Sequence, residues 1–363
     1  MRVRARRVLI FACIVVVQFI LFEAALRRWG SSEAAPAFQG LFTGDATIGY
    51  RPQPGARVHY ATDEFATDLA INQAGVRDSE ELGPKKTGEK RILILGDSLV
   101  LSVQVPFEQT FGERLEHMLN DTASPNIRYR VVNAGVQGYG PVEELLFFRK
   151  LLAVVDPDFV VVTVFVGNDA EEAVGSEPKL SAQGDTEALR DSVVTTARRT
   201  VRRSMVLQVL RLRAVAALGR FQGFSAPPEP PHQSYAANPP PRIARGIEIT
   251  RDCIDRIARE AEAAGAKTGI ALMPARFQLD DGDYGRLRQL VADLGGELVR
   301  DAATDRFAEG LAPLSLPVTD LLVPLRAAGG RQDLFFQRNV HLTPKGHEVV
   351  AEHLATFVRS HGL

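Results

Sequence analysis

The sequence predicts a doubly wound α/β fold with a mainly parallel sheet of about five strands, and three observations carry that prediction. From residue 91 onward, short apolar runs alternate with stretches of helical periodicity. The runs are nearly unbroken, as in RILILG (91–96) and FVVVTVF (159–165), which suits strands buried on both faces of a parallel sheet. Polar, glycine-containing turns follow them: Gly96-Asp97-Ser98 after the first and Gly167-Asn168-Asp169 after the second. The carboxyl edge of such a sheet is where ligands bind.

Taken in order, the first strand is the run at 92–95. Pro106 opens a predicted helix in which Phe107, Phe111, Leu115 and Leu119 recur at i+4. The next strand is expected at about 128–132, ending in NAGVQGYG. Pro141 starts a helix with Glu143 and Glu144 in its first turn and Arg149 and Lys150 in its last, matching the helix dipole. Pro157 precedes the strand at 159–165. A helix at about 243–264, a strand at 267–273, a helix near 283–294 and a strand near 316–320 follow. Thr343 caps the closing helix, with Pro344 at its first position.

An insertion at about 175–242 interrupts this pattern. Residues 185–224 read as one or two helices with Val194, Ala197, Val201, Met205 and Leu212 on one side and Arg198, Arg199, Arg202 and Arg203 on the other. A solvated arginine face is the plain expectation; a lid or a basic face on an anionic membrane is the alternative. The Pro-rich stretch SAPPEPPHQSYAANPPPR is expected to be extended and mobile.

The N-terminus divides into two parts. Residues 1–29 hold Arg2, Arg4, Arg6 and Arg7 before an apolar run at 8–25, with Glu23 near its end. Eighteen helical residues span roughly 27 Å, close to the hydrocarbon thickness of a bilayer. The excess of positive charge before the run predicts an uncleaved, single-pass anchor in the cell membrane. Its N-terminus would be cytoplasmic and the remaining chain periplasmic or extracellular. A cleaved signal is the competing reading, since Ala34, Ala35 and Ala37 follow, but the run is long for one. Residues 30–90 form a small β-rich extension, too small for its own core and expected to pack on the domain at 91–363. In its INQAGVRD stretch, Arg77 is expected in a surface salt bridge.

Composition excludes more than it assigns. Lys plus Arg number 43 against 44 Asp plus Glu, so no global charge points to a nucleic-acid partner. Cys13 and Cys253 offer no disulfide within the domain. No spacing of His, Cys, Asp or Glu matches a metal site, and no cofactor is expected.

Four pieces lie at predicted strand ends or just before the last helix: Ser98, Gly135, Asn168 and His341. Acyl transfer needs a nucleophile, a base and oxyanion donors. Ser98 and His341 supply the first two. The backbone N–H groups of Ser98 and Gly135, with the Asn168 side-chain amide, are the expected donors. The ordered blocks Gly96-Asp97-Ser98-Leu99, Gly135, Gly167-Asn168-Asp169 and His341 resemble the SGNH hydrolases, also called the GDSL esterase/lipase family, and specifically membrane-anchored bacterial members. That resemblance implies a flavodoxin-like three-layer fold and a carboxylic ester hydrolase acting on an acyl ester, including O-acetyl, of a carbohydrate or lipid. An O-acyltransferase acting on an exported polysaccharide, or a catalytically silent glycan-binding module, is the alternative.

One departure from the family stands out. Its members usually carry an aspartate two or three residues before the histidine, where this chain has Asn339 and Arg338; the nearest acid is Asp333. A Ser–His dyad, an orienting carbonyl from Asn339 or the backbone, an acid from elsewhere, and loss of activity all remain open. His347, in the first turn of the last helix, is expected to cap or pack.

Overall fold

The computed structural model of the protein describes residue 18 and residues 40–78, 80–181, 232–329 and 331–361. Apart from residue 18, the apolar run at 8–25 lies outside the described residues, as do the arginine-bearing stretch at 185–224 and the start of the Pro-rich stretch, 225–231. Among the described residues, no helix is long and apolar enough to cross a membrane.

The extension contributes two antiparallel hairpins, β1 (Phe42–Asp45) with β2 (Gly49–Pro52) and β3 (Arg57–Ala61) with β4 (Ala66–Ala70). The main sheet follows: β5 (Glu89–Gly96), β6 (Arg128–Gly135), β7 (Phe159–Phe165), β8 (Lys267–Met273) and β9 (Val318–Asp320). All its pairings are parallel, in the order β6-β5-β7-β8-β9. Counted within this sheet the order is 2-1-3-4-5, the flavodoxin-like winding. It reverses direction beside β5 and leaves a crevice at the carboxyl ends of β5, β6 and β7.

Both faces of the sheet are covered, which explains the unbroken apolar runs. Leu93, Leu95, Val132, Val160 and Val162 point to one core with helices α3 (Pro141–Val155), α4 (Asp169–Ser176), α5 (Pro241–Ala263) and α7 (Ala302–Leu311). Ile92, Ile94, Val131 and Val161 point to the other, with α1 (Ser98–Leu101), α2 (Phe111–Asp121), α8 (Leu322–Ala327) and α9 (Pro344–Ser360). Helix α6 (Asp281–Asp293) follows β8. Residues 92–95 of β5 are fully buried, and each contributes about 1.5–3 kcal/mol of apolar burial.

Three local expectations change. Phe107 lies in a short 3₁₀ turn (Phe107–Gln109), and the helix proper begins at Phe111, where Thr110 Oγ1 accepts from the Glu113 N–H. Helix α7, short and Ala-rich, was not evident from apolar spacing. The described part of the Pro-rich stretch is built into the fold rather than extended and mobile. Tyr235 is fully buried and its hydroxyl donates to Gln278 Oε1 at 2.9 Å, while Arg306 donates to the carbonyls of Ser234 and Ala236 at 2.7 Å each.

Candidate active site

Ser98 opens α1 directly after β5. The Asp97 carboxylate caps this helix by accepting from the Leu99 N–H at 2.8 Å, and burial pushes its pKa up to about 6. The carboxyl end of the turn is held as firmly. Asn133 Nδ2 donates to the Val100 carbonyl at 2.8 Å. Arg77 Nη1 donates to the carbonyls of Leu101 and Ser102 at 2.7 and 2.5 Å, and its Nη2 to Val105 at 2.7 Å. The surface salt bridge expected of Arg77 is therefore corrected. The residue is 1% exposed and its Nη1 and Nη2 donate to carbonyls around the Ser98 turn, where burial lowers its pKa to about 10.

His341 lies on the loop between Leu334 and α9. Its Nε2 is 2.8 Å from Ser98 Oγ, and its Nδ1 is 2.5 Å from Asn339 Oδ1. The same Asn339 oxygen accepts the His341 backbone N–H at 3.1 Å. A backbone N–H needs an acceptor, so the carbonyl end of the amide faces the ring and Nδ1 carries the proton. The Nε2 lone pair is then left for the serine hydroxyl. Burial pushes the His341 pKa down to about 4, keeping the ring a neutral base at ordinary pH. Asp333 does not take part: its carboxylate is 3.1 Å from Lys345 Nζ and largely exposed. His347 is buried, stacked on Phe111, and accepts from the Phe111 N–H through Nδ1 at 3.2 Å.

The donors beside Ser98 differ from expectation at one position. The Gly135 N–H is bonded to Asn133 Oδ1 at 3.0 Å, and Gly135 is buried against α1, where a Cβ would lie 2.1 Å from the Leu101 nitrogen. Glycine is needed there for close packing, and its N–H is already used. In the loop that follows, Val136, Tyr139 and Gly140 also have partners, in the Gly96 carbonyl, the Val136 carbonyl and the Glu143 carboxylate. Gly138 is exposed, adopts φ +69°, and its N–H has no partner among the described residues. The Gln137 N–H likewise has no partner among the described residues, so the free backbone donors of this loop are those of Gln137 and Gly138 rather than Gly135. Spacing alone did not separate the glycines of NAGVQGYG; their φ angles and hydrogen bonds do. Asn168 follows β7 and heads α4, with Nδ2 donating to Glu172 Oε1 at 2.8 Å. Its second N–H remains available to a ligand.

Sequence reasoning also missed how the extension supports all three loops. Tyr50 donates to the Gln137 carbonyl at 2.6 Å, and Tyr139 donates to the Tyr50 carbonyl at 2.5 Å. Arg77 holds the turn that carries Ser98. The tip of the β3–β4 hairpin holds the histidine loop, where Glu64 accepts from the Arg338 and Asn339 N–H groups at 2.9 and 2.8 Å. Phe65 packs on Phe336, with ring centroids 5.4 Å apart, and Asp63 pairs with Arg338. From the other side, Arg276 Nη1 donates to the carbonyls of Phe336, Gln337 and Asn339 at 3.1–3.2 Å. Residues on an irregular loop keep their geometry only when their backbone groups are satisfied in this way. Glu64→Ala is expected to lower kcat about tenfold with little change in KM or in melting temperature, checked by steady-state kinetics and thermal unfolding.

The arrangement pairs a serine hydroxyl with a neutral, tautomer-fixed imidazole, the equipment for attack on a carbonyl. Residues 234–363 match a family described as "SGNH hydrolase-like domain, acetyltransferase AlgX". Among solved structures, TesA is similar at 17% identity and TM-score 0.42, covering 75% of this chain and 99% of its own. A lipase/acylhydrolase from Enterococcus faecalis is similar at 13% identity and TM-score 0.41, over 75% and 96%. The acetyl xylan esterase AlAXEase is similar at 12% identity and TM-score 0.37, over 75% and 100%. No curated protein matches. The family match spans residues 234–363, about a third of the chain, and includes the block that carries His341; over that stretch the chain is similar to an SGNH hydrolase-like domain.

Proposed function

We propose that the protein is a serine esterase that acts on an acyl ester, including O-acetyl, of a carbohydrate or lipid through an acyl-serine intermediate. One observation carries this reading: Ser98 Oγ lies 2.8 Å from His341 Nε2, and the far nitrogen of that ring is fixed by Asn339. Ser98 attacks the carbonyl carbon while His341 Nε2 takes the hydroxyl proton. The N–H groups of Ser98 and Gly138 and the free N–H of Asn168 receive the oxyanion. His341 returns the proton to the departing alcohol oxygen, leaving the acyl group on Ser98. Water, deprotonated by the same imidazole, then releases the acid.

The matched family's description names an acetyltransferase, and this favours a second reading in which a sugar hydroxyl replaces water in the last step. The two share every residue named and differ in what reaches the acyl-serine. A panel of acyl esters given to the full chain, with and without a sugar acceptor, tests both. Free acid in both arms supports the esterase, and acylated sugar in the second supports the transferase. No turnover, with glycan binding retained, supports a silent binding module and overturns the proposal.

We place the site outside the cytoplasm on the sequence of residues 1–29 alone. A reporter fused after Leu363 is expected to be active outside the cytoplasm and to sediment with membranes. A soluble product trimmed near Ala35 would show a cleaved signal instead.

A further inference from the structure

Asn168 stands beside a second carboxylate system that the mechanism above does not use. Its Nδ2 donates to Glu172 Oε1 one helical turn on, at 2.8 Å. Two oxygens of this pair, Asn168 Oδ1 and Glu172 Oε2, are buried without a partner among the described residues. Both are acceptors when Glu172 is ionised, and an ionised carboxylate has no proton to give either. The groups facing Glu172 are mostly acids. Asp97 stands at the end of β5, Glu143 and Glu144 on α3, and Asp169 and Glu171 on α4, with the Tyr50 hydroxyl coming from β2. Glu143 already binds Lys179 and Ser176, and Glu171 accepts from Ser234. Among the described residues no cation pairs with Glu172, which packs against Gly140 of the oxyanion loop.

We propose that Glu172 is a positioning residue for the oxyanion hole: as a neutral acid it holds the Asn168 amide in place, and its ionisation sets the upper pH limit of the reaction. The inference deepens the esterase reading and rests on it. One proton on Oε2 resolves both orphaned oxygens together. The Asn168 nitrogen donates to Oε1 and the acid O–H donates back to Asn168 Oδ1, which is the pairing of a cyclic amide–acid dimer. The outer N–H of Asn168 is then fixed toward the substrate. Loss of the proton leaves two acceptors facing each other and places a negative charge behind a developing oxyanion. Burial, with the charges of Asp97, Glu143 and Glu171 adding to it, raises the Glu172 pKa to about 8. The sign follows: the acid is neutral below that pH, so the rate falls as pH rises through it. The acid limb belongs to His341, near 4.

The test is the pH dependence of kcat for an aryl acetate with the full chain, Glu172→Gln and Glu172→Met, each checked for folding by circular dichroism. Glutamine keeps both hydrogen bonds at every pH. E172Q is therefore expected to match the wild type near pH 7 and to lose the alkaline fall. Methionine keeps the length and neither bond. E172M is expected to be slower by about 10- to 100-fold and flat above pH 7. A purely structural role predicts the same loss in both variants. A wild type with no alkaline fall, a fall that survives in E172Q, or an unimpaired E172M overturns the inference while the esterase reading stands. If E172Q does not fold, E172M decides by its rate and its alkaline limb. A wild type inert toward acyl esters at every pH overturns both.

Discussion

Ser98→Ala is expected to remove ester turnover by about 10⁴- to 10⁶-fold, with His341→Ala close behind and the double variant hardly worse than either. The reason is geometric. His341 Nε2, 2.8 Å from Ser98 Oγ, is the base that takes the hydroxyl proton, and each group is idle without the other. Neither substitution opens a large cavity, because Ser98 is small and His341 lies on a loop held by Glu64 and Arg276. Circular dichroism and thermal unfolding of the variants should therefore match the wild type. Residual turnover would come from binding and the oxyanion donors alone. Steady-state kinetics on the three variants checks this, and a full-rate Ser98→Ala protein would remove the serine mechanism.

Replacing Asn339 should give the second-largest effects, in opposite directions. Asn339→Ala removes the acceptor that fixes the Nδ1–H tautomer. Its cost is expected between about 10²-fold, typical of one lost catalytic hydrogen bond, and roughly 10⁴-fold, the scale for a mis-set imidazole tautomer. Asn339→Asp keeps the acceptor and adds a charge. A charge-assisted hydrogen bond is about twice as strong as a neutral one, so a gain of about tenfold in kcat is expected. A carboxylate beside the ring also favours the imidazolium, so the acid limb should move upward from its place near pH 4. Activity would then be lost at a higher pH on the acid side. Glu64 does not oppose the change directly, since it binds the Asn339 backbone N–H rather than the side chain. A folded Asn339→Asp protein with an unmoved acid limb would contradict this account of how the histidine is tuned.

What the sequence disclosed of this site follows physical lines. Buried parallel strands leave unbroken apolar runs, so β5, β7 and β8 are legible almost to the residue. Thr343 and Pro344 announce the last helix because capping is local chemistry. Ser98, Asn168 and His341 are visible because each sits at a strand end or before that helix. The support around them is not legible. Arg77, Glu64 and Arg276 act through backbone carbonyls and N–H groups far away in sequence, and such contacts leave no spacing to read. Gly135 and Gly138 are alike in sequence, and only their packing and hydrogen bonds tell a tight contact from a free donor. Asn339 was open for a similar reason: which end of an amide faces a ring is decided by the His341 backbone N–H, a tertiary fact.

The central claim is that Ser98 carries the acyl group, and trapping that intermediate tests it most directly. The full chain is incubated with an aryl acetate, quenched in acid, digested and mapped by mass spectrometry, beside His341→Ala treated in the same way. The account predicts an acetyl adduct on the peptide containing Ser98, absent in His341→Ala and chased by water or a sugar hydroxyl. Steady ester turnover with Ser98 unmodified under trapping, or an adduct on another residue that is chased at the same rate, would contradict it.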